Sequence, residues 1–354
     1  MSRLFMLKII KDAVPRRHRI VSGLTVQLKP EKIRVSLGTA AVLGLERCTM
    51  SSAPTTAYFM TYVEGRCIAN CAFCAQAHES SSDLSLLSRI EWPEHPFDRV
   101  LEALQQKRSV FQRICLQALN FPGFQDEIYR ISEHLILRSR APLSLCAPPL
   151  IKQHLERLYA LGTDRICFAL DASTQEIFEN IKGRKVNGPY SWEKHWAALN
   201  DAVKVFGKGR VTTHLIVGLG ETEEELLSSV QRLKDLGILA SLFAFTPISG
   251  TKLGGQEKPS VGSYRRLQLG RYLINGGIRR AEEMSFKDGV LKSLGTSSDS
   301  HEKILASGEA FQTCGCPGCN RPFYNETPRG PIYNYSRSLT YVEVKEAISE
   351  LGVK

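Results

Sequence analysis

Short runs of β-branched and aromatic residues alternate with amphipathic stretches from about residue 58 to about residue 290. This rhythm restricts the fold more than any other feature of the chain. Candidate strands are 58–63, 112–117, 143–146, 165–170, 211–217, 239–245 and 277–281, with helical patterns at 149–161, 192–206, 221–236 and 264–275. Strands separated by crossover helices pair in parallel. Six or more such units favour a β/α barrel, complete or partial, and place chemistry on the loops after the strands' C-terminal ends. The stretch 221–236 is the clearest helix. Leu226, Leu227, Val230, Leu233 and Leu236 share one face, Thr222 and Glu225 can form a capping box, and Gly237 fits the stop.

Ten cysteines stand in the 354 residues, and six of them form two tight groups. Cys67, Cys71 and Cys74 make the first; Cys314, Cys316 and Cys319 make the second. Cys48, Cys115, Cys146 and Cys167 stand alone and read as packing residues, since a free thiol packs like a small hydrophobe. No charged–apolar–small leader of the secretory kind is evident. The thiols are therefore expected in the reducing cytoplasm, binding metal rather than forming disulfides. The least polar run, residues 35–45, is too short to span a bilayer, so no membrane association is expected.

The net charge is +10, and it is uneven. Residues 1–34 hold nine Lys/Arg against two acids, which accounts for most of the excess. Lys8, Lys11, Arg16, Arg17 and Arg19 form a basic arm, either a solvated end or a docking surface for an acidic partner. It lacks the interleaved aromatics that stack on single-stranded nucleic acid, so nucleic acid is not the expected partner.

The first triad lies in Gly65-Arg66-Cys67-Ile68-Ala69-Asn70-Cys71-Ala72-Phe73-Cys74, directly after the first candidate strand. Thiols at i, i+4 and i+7 on a loop can converge on one cuboidal iron–sulfur cluster. Three ligands then leave one iron open to another molecule. Zinc is the alternative, but structural zinc takes four closed ligands, and Asn70, Phe73 and Gln76 supply no evident fourth. This Cx3CxφC signature, with Phe73 as the aromatic, resembles that of the radical S-adenosylmethionine (SAM) superfamily. The resemblance implies a radical SAM (β/α) TIM-type barrel, complete or partial. It also implies a [4Fe-4S] cluster on Cys67, Cys71 and Cys74 whose open iron chelates exchangeable SAM, and cleavage to a 5′-deoxyadenosyl radical. The segment His214-Leu215-Ile216-Val217-Gly218-Leu219-Gly220-Glu221 matches the family's strand-five motif. By that match Ile216 supports the adenine and Glu221 stands at the helix entrance. Phe73 belongs to the same cofactor-binding set.

Three stretches resemble biotin synthase and its relatives: the one from Leu170 and Asp171 onward, then 216–222, then Gly250-Thr251-Lys252-Leu253. The likeness covers about residues 58–290. Asp171 matches the strand-four aspartate that binds ribose hydroxyls, and a carboxylate can accept both. Its alternative is a helix N-cap before Ser173. Gln117 falls where the family's backbone meets the methionyl amine, although the common Gly-Gly-Glu sequence is absent there. Biotin synthases also hold a second cluster inside the barrel, with cysteines on strands two, three and five and an arginine. Cys115 and Cys146 match the first two positions and Arg279 roughly matches the arginine, but the third position is Thr212.

A replacement is expected at Cys314-Gly315-Cys316-Pro317-Gly318-Cys319, where Gly and Pro permit tight turns around a metal. An auxiliary [4Fe-4S] cluster and a zinc clip both remain open. Lipoyl synthases use a C-terminal serine beside an arginine as a cluster ligand, which makes Ser336, or Ser338, beside Arg337 the candidate fourth ligand. Single-chain lipoyl synthases place their auxiliary cysteines before the radical triad, where only Cys48 lies here. The chain is therefore more similar to a subunit of the archaeal-type two-protein lipoyl synthase.

That resemblance implies a sulfurtransferase of the lipoyl synthase type, inserting sulfur at unactivated C–H positions of a carrier-bound octanoyl chain. The implied partners are an octanoylated lipoyl carrier protein, a second radical SAM subunit and an electron donor such as ferredoxin or flavodoxin. Biotin synthase-like sulfur transfer to a small molecule and tRNA methylthiolation are the competing readings. The expected organisation is a basic extension (1–50), a radical SAM barrel (51–290) and an auxiliary-cluster region (291–354). The loops of 295–331 are expected to fold over the barrel mouth.

Overall fold

The alternation of short strands and amphipathic helices builds one eight-stranded sheet in the computed structural model of the chain. The structure describes residues 30–107, 109–295, 304–327 and 329–352. The basic arm at Lys8, Lys11, Arg16, Arg17 and Arg19 lies outside them.

In chain order the elements begin with β1 (Lys32–Val35), α1 (Leu37–Leu43) and β2 (Thr56–Thr61). A small hairpin follows, β3 (Leu86–Leu87) and β4 (Ile90–Glu91), then β5 (Glu94–Pro96) and α2 (Phe97–Gln106). The regular units are β6 (Arg113–Gln117), α3 (Phe124–Arg138), β7 (Leu143–Cys146), α4 (Lys152–Leu161), β8 (Arg165–Cys167), α5 (Gln175–Ile181) and α6 (Trp192–Phe206). They continue with β9 (Val211–Val217), α7 (Glu223–Asp235), β10 (Ile238–Ala244) and α8 (Val261–Asn275). A second hairpin, β11 (Ser285–Lys287) with β12 (Val290–Ser293), and a further helix, Tyr341–Ser349, follow, and single 3-10 turns stand at Arg184–Val186, Ala281–Glu283 and Glu309–Phe311.

The sheet order is β10-β9-β8-β7-β6-β2-β1-β5. The six strands from β2 to β10 pair in parallel, as crossover helices require. At the other edge β1 runs antiparallel to both β2 and β5. The barrel is therefore partial, with β10 and β5 as edges among the described residues. No described helix is long and apolar enough to cross a membrane.

Alternation along each strand decides what faces inward. Ile114, Leu116, Leu143, Leu145, Leu215 and Val217 point outward into the buried layer beneath the helices. Tyr58, Cys115, Ser144, Cys146, Cys167, Thr212, His214, Ser241 and Phe243 point into the barrel and line its cavity. The helix α7 has its capping box: Thr222 Oγ1 accepts from the Glu225 N–H at 3.1 Å, and the Glu225 carboxylate accepts from the Thr222 N–H at 2.8 Å.

Two expectations change. Residues 277–281 are not a strand. Gly277, at φ +68°, turns the chain after α8, and Ile278 N–H closes back on Leu273 O at 2.9 Å. Residues 165–170 are extended only through Cys167. Beyond it the Thr213 hydroxyl takes over the ladder, accepting from Leu170 N–H at 3.0 Å and donating to Phe168 O at 2.8 Å. Asp171 follows at φ +63°, rare for a residue with a side chain, and its N–H donates to His214 O at 2.8 Å.

Candidate functional site

The loop after β2 carries the first triad and is held by backbone contacts from all sides. Cys67 N–H donates to Gln76 O at 3.1 Å, Ala72 N–H to Ile181 O at 2.7 Å, and Leu253 N–H to Ala72 O at 3.0 Å. The Asn70 side chain donates to Val186 O at 2.7 Å; that of Gln76 donates to Leu84 O at 2.8 Å and Leu86 O at 2.7 Å. Both amides therefore fix the loop, and Asn70 Oδ1 also accepts from Glu79 N–H at 3.2 Å. Asn120 N–H, just beyond β6, donates to Cys67 Sγ at 3.2 Å. Phe73 packs with Ile177, Phe178 and Ile181 of α5. Burial pushes all three thiols up, Cys74 to about 12, so a metal must displace their protons for them to act as ligands.

The triad opens on a cavity of about 150 Å³, also lined by Gln117, Leu119, Asn120, Cys146, Lys182 and Tyr190. Asp171 stands nearby, and its Oδ2 accepts from Lys182 Nζ at 2.7 Å. Asp171 is not a helix cap. Thr174 caps α5, its hydroxyl accepting from Ile177 N–H at 3.3 Å. Burial alone would pull the Lys182 ammonium down, but Asp171 holds it up. Lys182→Met would leave Asp171 buried without its cation. A loss of about 3–5 kcal/mol in urea unfolding is expected; a loss below about 1 kcal/mol, the worth of an exposed pair, would mean that the pair is solvated.

Ile216 faces inward opposite Phe243, with its N–H on Asp171 O at 2.9 Å. Glu221 turns back on its own loop and accepts from Gly218 N–H at 2.6 Å and Leu219 N–H at 2.9 Å. It shapes the turn, whose Gly218 and Gly220 have φ of +100° and +109°. Gln117 lines this cavity and a larger one below it, and donates to Cys115 Sγ at 3.0 Å.

The second triad approaches from the opposite end. Thr55 and Thr56, at the start of β2, donate through their hydroxyls to Gly318 O at 2.7 and 2.8 Å. Arg113, at the start of β6, donates to Pro317 O at 2.8 Å. The cysteine loop thus closes the floor, where the strands begin, and not the mouth. The segment then reaches from the edge strand β10 to the inner strand β2. Cys314 Sγ accepts from Leu242 N–H at 3.1 Å, and Tyr58 OH lies 3.4 Å from Cys319 Sγ. Ser144 Oγ lies 3.4 Å from Cys316 Sγ.

Cys316 and Cys319 line a cavity of about 390 Å³, shared with Leu37, Met50, Trp92, Phe243, Phe323 and Tyr324. Cys314 is buried behind them. Ser336 stands behind the wall, its hydroxyl donating to Ser52 Oγ at 2.9 Å. Arg279 is elsewhere, on Gly295 O at 2.9 Å at the surface, because the strand expected to aim it inward is a turn. Arg321 occupies the barrel instead. Its guanidinium lies 3.8 Å from the Phe243 ring centroid and donates to Cys314 O at 2.6 Å. Arg321 and Lys182 escaped the sequence reading. The only available signal for Arg321 was a cation two residues beyond Cys319.

Two thiolates on one zinc stand about 3.8 Å apart, given a Zn–S bond of about 2.3 Å. Among the described residues, the one group of three whose ligand atoms all lie within 4.8 Å is Cys146, Cys167 and His214. Neither triad is drawn that tight, as ligands to separate irons need not be.

Residues 62–233 match the family model of the radical SAM superfamily. Over 196 residues the chain is 26% identical to biotin synthase of Clostridium acetobutylicum, covering 53% of this chain and 56% of that one. Over 200 residues it is 26% identical to biotin synthase of Streptococcus agalactiae, covering 54% and 56%. The chain thus spans little more than half the length of these relatives. In fold it is similar to the FeFe-hydrogenase maturase HydG from Carboxydothermus hydrogenoformans, with a TM-score of 0.50 and 17% identity over 62% of this chain and 52% of that one. Three thiols on the loop after the first parallel strand, six parallel strands around a cavity and the family match agree in marking residues 62–233 as a radical SAM superfamily region.

Proposed function

We propose that this chain is a lipoyl synthase-type sulfurtransferase, which inserts sulfur at unactivated C–H positions of an octanoyl chain held by a carrier protein. The observation that carries the reading is the placement of two thiol triads on two adjoining chambers of one barrel. Gln117 and Cys146 line both the chamber beside Cys67, Cys71 and Cys74 and the chamber beside Cys316 and Cys319. A substrate lying between them meets both.

The [4Fe-4S] cluster of this superfamily, with SAM, supplies a radical that removes hydrogen from an unactivated carbon. This chain's residues do the rest. Cys67, Cys71 and Cys74 would hold the cluster, with the Asn120 N–H on Cys67 as an outer donor. The buried ion pair with Asp171 keeps Lys182 cationic beside the same chamber. Ile216 and Phe73 supply apolar contact. Leu37, Met50, Trp92 and Phe243 line the larger cavity, whose volume is in the range of ligand sites. An alkyl chain suits that lining better than a charged nucleotide would. Cys314, Cys316 and Cys319 would hold the sulfur-bearing cluster, with Arg321 as a half-buried cation beside them to offset thiolate charge.

The carrier, the electron donor and a second radical SAM subunit belong to the same proposal. The test is turnover under anaerobic conditions, with each candidate substrate offered separately: an octanoylated lipoyl carrier, dethiobiotin and tRNA. Thiolation of the octanoyl chain alone is expected. Conversion of dethiobiotin or tRNA without conversion of the carrier would overturn the assignment.

A further inference from the structure

On the wall of the larger cavity, the barrel holds a third group of metal-ligating side chains. Cys146 and Cys167 are register partners on β7 and β8, so their side chains leave the sheet on the same face. Thr212 on β9 pairs with Cys167, and His214, two residues on, points the same way. The three ligand atoms all lie within 4.8 Å of one another. Cys167 Sγ and His214 Nε2 are 3.5 Å apart.

That spacing can be compared with a real coordination sphere. A tetrahedral ion with an M–S bond of about 2.3 Å and an M–N bond of about 2.05 Å sets sulfur and nitrogen about 3.55 Å apart. The observed separation needs almost no adjustment. All three side chains line the larger cavity. Cys167 is buried, while Cys146 and His214 are partly exposed towards that space.

We infer that Cys146, Cys167 and His214 form a Cys₂His site for one thiophilic divalent cation of the zinc and ferrous class, with a fourth position open to the cavity. Three protein ligands and an open position are the pattern of reactive rather than structural sites. Loading forms two metal–sulfur bonds and one metal–nitrogen bond. Two thiol protons leave to solvent, imidazole binds as its neutral form, and the metal stays divalent. The fourth position faces the space proposed for substrate, where it can take a thiolate or a water. The site stands on its own residues and does not depend on which substrate the barrel accepts.

The test uses the full chain with its iron–sulfur clusters already reconstituted, so that both triads are filled. One equivalent of Co²⁺ is then added as a spectroscopic stand-in for zinc. Tetrahedral cobalt–thiolate absorption is expected, with X-ray absorption showing two sulfur neighbours and one imidazole nitrogen. His214→Ala should weaken cobalt binding at least about tenfold, and a Cys146→Ala/Cys167→Ala double variant should abolish the absorption, with iron content unchanged in both. His214→Gln, checked by thermal melting, guards against a folding defect in the alanine variant. Unchanged cobalt binding in folded His214 variants would overturn the site. So would a fall in iron content, which would make these residues cluster ligands. Either failure leaves the sulfur-insertion reading to its own substrate test.

Discussion

Cys71→Ala is expected to abolish cleavage of SAM, with 5′-deoxyadenosine falling below detection. The loss should exceed the ~100-fold that follows removal of an outer-shell partner of a metal site, because a ligand itself is lost. The geometry explains why nothing can compensate. Asn70 and Gln76, on the same loop, are tied to backbone carbonyls through their amide nitrogens, Asn70 Oδ1 accepts from Glu79 N–H at 3.2 Å, and a neutral amide is in any case a poor replacement for a thiolate on iron. Ala72 N–H, on Ile181 O, locks the backbone next to the vacated position. Iron content after anaerobic reconstitution should drop by one cluster while the melting temperature stays near that of the parent. Full deoxyadenosine release by a folded variant would remove the triad from the chemistry.

Cys316→Ala is expected to separate radical formation from sulfur transfer. Deoxyadenosine release should stay within about twofold of the parent, since the two triads share no hydrogen-bond partner and lie at opposite ends of the barrel. The thiolated product should be absent. Cys316 faces the cavity, near Ser144 Oγ at 3.4 Å, and its removal changes the floor without touching the loop after β2. Full yield of thiolated product from this variant would refute the division of labour. A structural zinc at Cys314, Cys316 and Cys319 would give a different signature: loss of zinc and of stability, with iron unchanged.

Much of the fold was legible because each signal was local. The capping box of α7 needs four consecutive residues, and its outline was visible in Thr222 and Glu225. The strands 143–146 and 211–217 stand where β-branched and apolar runs predicted them. The failure at 277–281 has a local cause as well: two adjacent glycines favoured a turn over a strand. The strand β1 was missed because it is short and draws its stability from pairing with β2 and β5, which no local pattern reveals. The grouping of Cys146 with Cys167 was missed for the same reason. They are 21 positions apart in the chain and become neighbours only through strand register.

The sequence by itself determined the superfamily and the first triad, because Cx3CxφC is a contiguous loop whose spacing carries its chemistry. It also determined that the scaffold is parallel β/α, because helix and strand periodicities are properties of short windows. Only the tertiary structure decided where the second triad lies. Its loop could have covered either end of the barrel, and contacts from Thr55, Thr56 and Arg113 draw it to the floor. Only the tertiary structure brought Lys182 onto Asp171, Arg321 into the barrel in place of Arg279, and His214 beside two cysteines read as packing residues. The physical reason is the same in each case. These groups meet across strands and loops distant in sequence, and the side-chain alternation and register that align them exist only once the sheet has formed.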